Sequence, residues 1–584
     1  MPHFAQTCEA IAATSKKLEK TALVANYLQS LLRTTPLRTM PLDEAAAAAI
    51  FLSGRPFPAY EEATLQVGGA LLWRVIGDLS GKSEHELTEI YRRHGDAGSV
   101  AAEALPEKPR SNLTLTEVQR AFSEIAAARG PAAKAALLRQ FLVLATPLEA
   151  KYIVKIISGD LRIGLKESLV EEAIARAFEV PLDHVKRANM LLGDIGETLR
   201  LASAGKLADA RLRLFHPIDF MLASPVESSE EALSYFQNVS VEDKYDGIRA
   251  QAHISQGEVR IFSRTRNEIT ESFPELPPAL ARLPQDAILD GEIVAWKADN
   301  GSQIAGRALP FSTLQQRLGR KKVSAKLMHD VAIAYFVFDV LYADGELLLD
   351  RPLRERARIL DALLNNLAVA PRVAIVHEVQ AQSSLRFEPV EEDIGENSLA
   401  RVLHAPVATA NSAEDIETLF TAARDRGNEG LMIKDLDSLY SPGRRGKSWL
   451  KMKRELATLD VVVTAVEYGH GKRIGVLSDY TFAVWHGDRL VNIGKAYSGL
   501  TDAEIAEMTQ WFLAHKIREQ GLRLEVEPKI VLEVAFNNMM RSARHESGYA
   551  LRFPRIVRLR PDKRPEDADT IETVEEIFER QHSV

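Results

Sequence analysis

Two rhythms of apolar residues divide the chain. Through residues 1 to about 201, apolar positions recur three and four apart, as in LEKTALVANYLQSLLR (18–33) and DEAAAAAIFLSG (43–54), the spacing of helices that bury one face. Pro, Gly and Ser separate these segments, and TEVQRAFSEIAAARG follows a Thr-rich entry and stops at Gly130-Pro131. After Arg211 the rhythm changes. Pro217, Pro225 and the polar VESSEEAL mark a boundary, beyond which RAQAHISQGEVRIF (249–262) alternates like a hairpin around a glycine turn. AILDGEIVAW (287–296) and VAIAYFVFDVLY (331–342) read as buried strands, with a helix at 351–364. From residue 458 short strands return in LDVVVTAVEYG, YTFAVWHGDRLVNIGKAYSG and PKIVLEVAFNN, with one helix, TDAEIAEMTQWFLAHK, among them. Short strands, glycine turns and one inserted helix fit an OB-fold. The pattern predicts an all-α domain at 1–205, an α+β domain of mixed or antiparallel sheets at 215–454, and a C-terminal β-barrel of OB type at 456–584.

Length and composition agree with that division. A chain of 584 residues exceeds what one core serves, so about two to four domains are expected. At 46% hydrophobic and 26% charged it reads as globular and folded. A formal net charge of -8 argues against a wholly basic nucleic-acid protein, yet cations cluster. GRRGKSWLKMKR (443–454) carries six basic residues and no acid, and residues 541–564 carry eight against Glu546 and Asp562. Each run is a solvated face or a phosphate-binding surface. A single cysteine, Cys8, excludes a disulfide framework and any zinc module built on several cysteines. The N-terminal stretch has no continuous apolar core and no run of about twenty apolar residues occurs, so a cytoplasmic chain with no membrane anchor is expected.

One helical region is interrupted. In EAKYIVKIISGDLRIGLKESLVEEAIA (149–175), Ser158-Gly159-Asp160 and Gly164 separate two helices and gather Lys151, Lys155, Arg162 and Lys166 around a turn. Such a turn brings backbone N–H groups and cations to a phosphate, or is a helix hairpin with snorkelling cations. The acidic stretch at 383–405 suggests no function.

The chemistry centres on VEDKYDGIR (241–249), where Lys244 precedes Asp246-Gly247. Alone, this segment reads first as a charged hairpin turn with Asp-Gly at its tip. Downstream, Asp290-Gly291-Glu292 interrupts an apolar strand, where a carboxylate must be paired, solvated or holding metal. Phe338-Asp339, then EGLMIK (429–434), WLKMK (449–453) and RPDK (560–563) follow. A lysine that attacks phosphate must be neutral, and at its ordinary pKa only about one in a few thousand is neutral at pH 7. Cations at Lys434, Lys451 and Lys453 would lower that pKa and neutralise a transferring phosphate. Glu292 and Glu429 can hold Mg2+, and Phe338 offers a face to a base, with a nucleotide lying between two sheets.

The ordered series VEDKYDGIR, FSR, LDGEIVAW, FDVLY, EGLMIK, WLKMK and RPDK resembles the nucleotidyltransferase motifs of ATP-dependent DNA ligases. KYIVKIISGDLRIGL (151–165) is similar to the helical DNA-binding domain of the larger cellular ligases, so the resemblance covers nearly the whole chain. It implies that Lys244 takes AMP as a phosphoramide, that Glu242 reads the adenine with Phe338 stacked on it, and that Arg249 and Arg264 contact ribose or nucleic-acid phosphate. It assigns Glu292 and Glu429 to metal or ribose, Lys434, Lys451 and Lys453 to the α-phosphate, and Arg560 and Lys563 to the departing pyrophosphate. Lys155, Arg162 and Lys166 would touch DNA. The implied cofactors are ATP and Mg2+ or Mn2+, and the partner is nicked duplex DNA, sealed by a monomer in replication, repair or recombination. The C-terminal domain would swing between steps about a hinge at 454–460.

Arg264 is followed by TRNEIT where the family commonly has a glycine-containing turn, and 383–405 looks like an insertion. NAD-dependent ligases carry a four-cysteine zinc module that one cysteine cannot build, and capping guanylyltransferases lack a long helical domain in front. An RNA ligase is the runner-up. A non-catalytic DNA clamp would have lost a chemical residue, and none is missing.

Overall fold

Local signals for helix starts are strong in the first third of the chain. Ser83, Thr114 and Thr146 each accept a hydrogen bond from the backbone N–H of Glu86, Glu117 and Glu149, which reach back in turn, forming capping boxes on helices Glu84–His94, Leu115–Ala127 and Pro147–Ile157. The computed structural model describes residues 1–33, 41–61, 63–236, 238–298, 306–320, 322–365, 400–453, 457–470 and 473–582. Most of the acidic stretch 383–405 and the start of the expected hinge, 454–456, lie outside the described residues. The chain divides into two compact units, Met1–Arg211 with Glu455–Ser583, and Leu212–Arg454.

The helical region packs around the alanine-rich helix Pro41–Leu52, buried from Glu44 to Leu52. Small side chains let neighbouring helices close in, and Phe51 sets its ring edge-on to Phe4 and Phe122 at centroid distances of 6.2 and 5.6 Å. The cost of burying Glu44 is offset by the Leu115 and Thr116 N–H groups that it accepts from at 2.8 and 3.1 Å, a second cap on helix Leu115–Ala127. The predicted interruption is present: helices Pro147–Ile157 and Glu167–Ala177 flank a turn in which Arg162 takes φ 53°. Among the described residues no helix is long and apolar enough to cross a membrane.

In the central unit the strands are β1 (Leu222–Val226), β2 (Val239–Lys244), β3 (Ile248–Ser255), β4 (Glu258–Ser263), β5 (Ala287–Ala298), β6 (Gly306–Ala308), β7 (Ile333–Ala343), β8 (Glu346–Leu347), β9 (Ala400–His404), β10 (Val407–Ala408), β11 (Gly430–Asp435) and β12 (Arg445–Met452). They form two sheets, one ordered β1-β12-β11-β2-β10 and one ordered β4-β3-β5-β7-β8 with β6 on β5 and β9 on β7. Antiparallel pairing prevails, with β1–β12 and β7–β9 parallel, so the mixed character expected from sequence holds. Helix Leu353–Asn365 is tied to the second sheet through Arg356, whose guanidinium meets Asp339 at 2.8 and 2.9 Å with both side chains fully buried. Asp339 is thus held in a dry structural ion pair.

The C-terminal region is strand-rich, as the expected OB-fold requires. It contains β13 (Ala457–Tyr468), β14 (Leu477–His486), β15 (Arg489–Ala496), β16 (Lys516–Gln520), β17 (Arg523–Val526), β18 (Val531–Phe536), β19 (Asn538–Arg541), β20 (Tyr549–Arg552) and β21 (Arg555–Leu559). The long β13 pairs with β14 along one edge and with β18 and then β17 along the other. Helix Asp502–Ala514 was anticipated; a second helix, Ile571–His582, was not. Its Ile571, Val574 and Ile577 join the core with Val461, Phe482 and Val534.

Candidate active site

Register places the chemistry on one face of the first sheet. β2 runs antiparallel to β11 with Ser240 opposite Lys434, Glu242 opposite Met432 and Lys244 opposite Gly430. β11 sets Lys434 opposite Trp449 and Met432 opposite Lys451 of β12. Because side chains alternate, Glu242, Lys244, Lys434, Trp449 and Lys451 leave one face. Val241, Leu431, Ile433, Leu450 and Met452 leave the other and form a core with Ile416, Phe420 and Ala423 of helix Ala413–Asp425. In the second sheet Arg249 lies opposite Glu292, and Glu292 opposite Phe336, while Ala250, Leu289, Ile293, Tyr335 and Val337 point into that sheet's own core.

The two polar faces meet. Phe338 sets its ring edge-on to Trp449 with centroids 6.1 Å apart, and the Arg249 guanidinium lies 5.4 Å from each of those rings. The Asp-Gly of the lysine motif is therefore no hairpin tip: it carries the chain from β2 in one sheet to β3 in the other. Gly247 is required there, since a Cβ would stand 2.3 Å from the Ile293 carbonyl oxygen. Gly430, opposite Lys244, has φ 150°, and a Cβ on it would stand 2.2 Å from the Met452 carbonyl oxygen.

Lys244 forms an ion pair with Glu429, and its carbonyl accepts from the Glu429 N–H at 2.8 Å. The loop carrying Glu429 is pinned by Asp243, which accepts from Arg426 at 2.7 and 2.8 Å and from Asn428 at 2.8 Å. Sequence reasoning passed over Asp243, although it alternates with Glu242 and Lys244 and so had to serve the opposite side of the strand. Glu292 is partly buried, and burial pushes its carboxyl up to about 8 against the opposing pull of Lys244 and Arg249. Burial, then Lys453 and Lys244, lower the Lys451 ammonium below the ordinary lysine range. Lys453 is exposed just past β12, and Arg264 is exposed after β4. The turn after Arg264 does without glycine by placing Arg266 at φ 66°.

Two expected contacts are arranged differently. Lys434, expected at the α-phosphate, is buried with Glu242 in a bidentate pair at 2.6 and 2.7 Å, its ammonium 4.3 Å from the Phe338 centroid and 4.5 Å from that of Trp449. Arg249, expected on ribose or nucleic-acid phosphate, forks onto Asp290 at 2.7 and 3.1 Å and donates to the Met221 carbonyl at 2.6 Å. Asp290 also accepts from Tyr440 at 2.8 Å. Tyr440 was not singled out from sequence, and Trp449 only as the first residue of WLKMK, with no role; the aromatic beside a lysine-rich strand end was the available signal. Tyr245 stacks on Phe336 at 4.4 Å, continuing the aromatic wall from the lysine motif itself.

In the other unit, Arg560 and Lys563 both meet Asp460, at 2.8 and 2.5 Å. In the helical region Arg162 and Lys166 are exposed, whereas Lys155 is buried with its ammonium 3.3 Å from Asp96. Lys155, expected on DNA, is thus committed to its own domain, as is Lys151 through Glu9.

Glu292 and Glu429 supply hard oxygen donors of the type Mg2+ or Mn2+ takes, and a cation there would stabilise the ionised form of Glu292. Among the described residues no cluster of three metal-ligating side chains exists, so phosphate and water would complete the coordination.

Comparison with known proteins covers all three regions. Residues 1–175 match the family model described as DNA ligase N terminus, 220–453 the ATP dependent DNA ligase domain, and 473–563 the ATP dependent DNA ligase C terminal region. A probable DNA ligase of Koribacter versatilis is 59% identical over 100% of this chain and 97% of its own length. A DNA ligase of Archaeoglobus fulgidus is 33% identical over 100% of this chain and 99% of its own. The solved structure Pmar-Lig_PreS3 shares the fold, with TM-score 0.58 at 16% identity over 95% of this chain and 99% of that one.

Proposed function

The chain belongs to the ATP-dependent DNA ligase family, and from that premise we propose how its residues seal a nick. The activity is that of the family: ATP-dependent joining of a DNA 3′-hydroxyl to a 5′-phosphate through an enzyme adenylate and an adenylated DNA end. The observation that carries the residue assignment is the single sheet face on which register sets Lys244, Glu242 and Lys451.

In the first step the Lys244 nitrogen attacks the α-phosphorus of ATP, the bond to the bridging oxygen breaks, and pyrophosphate leaves. Glu429, already paired with Lys244, faces the proton that the ammonium must lose. Lys451 and Lys453 neutralise charge on the α-phosphate, and Arg560 and Lys563 orient the leaving pyrophosphate. Phe338 stacks on adenine and Glu242 accepts from its amino group, held in place by Lys434. Arg249, locked by Asp290, supports the aromatic floor and the ribose side. Glu292 and Glu429 would hold Mg2+, which when bound supplies charge neutralisation to the phosphates. The AMP then passes to a DNA 5′-phosphate, and the 3′-hydroxyl displaces it. Arg162, Lys166 and Arg264 contact duplex phosphates, and the working form is a monomer.

Incubation with α-labelled ATP and Mg2+ is expected to leave covalent label on the wild-type protein and none on Lys244→Ala. An unlabelled wild type, or a variant that labels equally, refutes the assignment.

A further inference from the structure

Arg560 and Lys563 are not idle in their own domain. Asp460, near the start of β13, lies opposite Glu533 of β18. Its carboxylate takes the Arg560 guanidinium at 2.8 and 3.0 Å and the Lys563 ammonium at 2.5 Å. The carboxylate is itself pre-set. The Asp460 N–H donates to the Asp569 carboxylate at 2.7 Å, and the Asp460 carbonyl accepts from the Asp569 N–H at 2.8 Å. The turn bearing the two cations does not depend on this contact for its shape, because the Arg560 N–H donates to the Val531 carbonyl at 2.9 Å and the Lys563 N–H to that of Arg560 at 3.1 Å. Asp562 also receives Arg560, but it is 61% exposed against 12% for Asp460, so solvent screens it far more.

A carboxylate whose two oxygens share one guanidinium nitrogen, Nη1 of Arg560, while one of them also takes the Lys563 ammonium offers the anionic oxygens a phosphate would offer. We propose that Asp460 is an intramolecular stand-in for pyrophosphate: it parks Arg560 and Lys563 while no triphosphate engages them, and must yield them for nucleotide loading. This rests on the assignment of those two cations to pyrophosphate made above. Asp460 is a positioning residue in this scheme, since it acts through the two cations and touches no reacting atom. Its strength sets how readily the two cations are released to pyrophosphate in the loading step; the two steps that follow involve no pyrophosphate.

The test uses full-length Asp460→Asn, Asp460→Glu and Arg560→Ala. Self-adenylation is followed against ATP concentration, and the reverse reaction against pyrophosphate. In that reversal a pyrophosphate oxygen attacks the α-phosphorus of the adduct, the P–N bond breaks, and the lysine nitrogen takes up a proton. Asp460→Asn is expected to lower the ATP and the pyrophosphate concentrations for half-maximal rate together, by roughly three- to tenfold, the size of one partly buried ion pair. Asp460→Glu, which keeps the charge, is expected to stay nearer wild type. Sealing of a nick that already carries 5′-AMP needs no pyrophosphate and reports whether each variant is folded. Weaker loading and reversal in Asp460→Asn, or no change in either, overturns the stand-in while leaving the cation assignment intact. An Arg560→Ala variant that still reverses at the wild-type pyrophosphate concentration removes the assignment itself, and the stand-in with it.

Discussion

The cleft of the central unit has a dry end and a wet end, each built around a lysine and a glutamate from the same two strand regions. At the dry end Lys434 and Glu242 are 1% and 6% exposed, wedged between Phe338 and Trp449. At the wet end Lys244 and Glu429 are 21% and 22% exposed, with Glu292 and Lys451 nearby. The chemistry of the pairs is the same, but the cost of parting them is not. A buried pair loses its partner into a medium that cannot hydrate the survivor, whereas a pair that reaches solvent is replaced by water. On the roles proposed for them, the reacting lysine would belong to the pair that can open, and the lysine that orients a recognition group to the pair that cannot.

The sharpest break of this contrast is Lys434→Met. It leaves Glu242 as a buried carboxylate that burial already pushes above the usual range and that Lys434, ahead of a smaller pull from Arg249, draws back. Loss of about 3–5 kcal/mol in urea unfolding is expected, with failure of self-adenylation. Adding Glu242→Gln removes the orphaned charge and is expected to restore most of the stability but not the adenylation. A Lys434→Met protein as stable as wild type means the two ends are energetically alike.

The next effect concerns Glu292, whose carboxyl is pushed up to about 8 from an ordinary 4.5. Between those values the native state keeps a proton that the unfolded chain releases, so this group's contribution to stability falls as pH rises through the window. A divalent cation bound by Glu292 must displace the same proton. Affinity of the ligand-free protein for Mn2+, followed by calorimetry, is expected to rise by up to about tenfold per pH unit toward pH 8 and then level off. Glu292→Gln is expected to flatten that slope. A pH-independent wild-type affinity places the proton elsewhere.

What the sequence made legible follows the same division. Lys244, Glu292, Glu429 and Lys451 stand out as candidates because each sits in a short local motif, and the hairpin at 249–262 and the strands at 287–296 and 331–342 are legible because their periodicity is local too. The pairing of Lys434 with Glu242 joins positions 192 apart, through a register that no periodicity states. Arg356 reads as an ordinary surface cation of an amphipathic helix until the sheet behind it puts Asp339 at its end. The burial of Lys155 is hidden for the same reason, since the acid it pairs with, Asp96, caps another helix. The last helix, Ile571–His582, had a detectable signal in Ile571, Val574, Ile577 and Phe578, masked by the expectation that strands would continue to the end of the chain.

The smallest expected effect is the one that completes the comparison. Glu429→Gln at the wet end removes the charge that faces Lys244 but keeps a side chain of the same shape with one carbonyl oxygen to accept a hydrogen bond. Both partners reach solvent, so water takes over what the carboxylate gave, and urea unfolding is expected to move by less than about 1 kcal/mol. The backbone bond from the Glu429 N–H to the Lys244 carbonyl and the clamp of Asp243 on Arg426 and Asn428 remain, so the loop keeps its place. Self-adenylation should nevertheless slow, because the acceptor facing the lysine proton is gone. A small stability change with a clear kinetic defect places Glu429 in the reaction; a stability loss as large as that of Lys434→Met makes the pair at Lys244 a structural strut, and the contrast between the two ends of the cleft collapses.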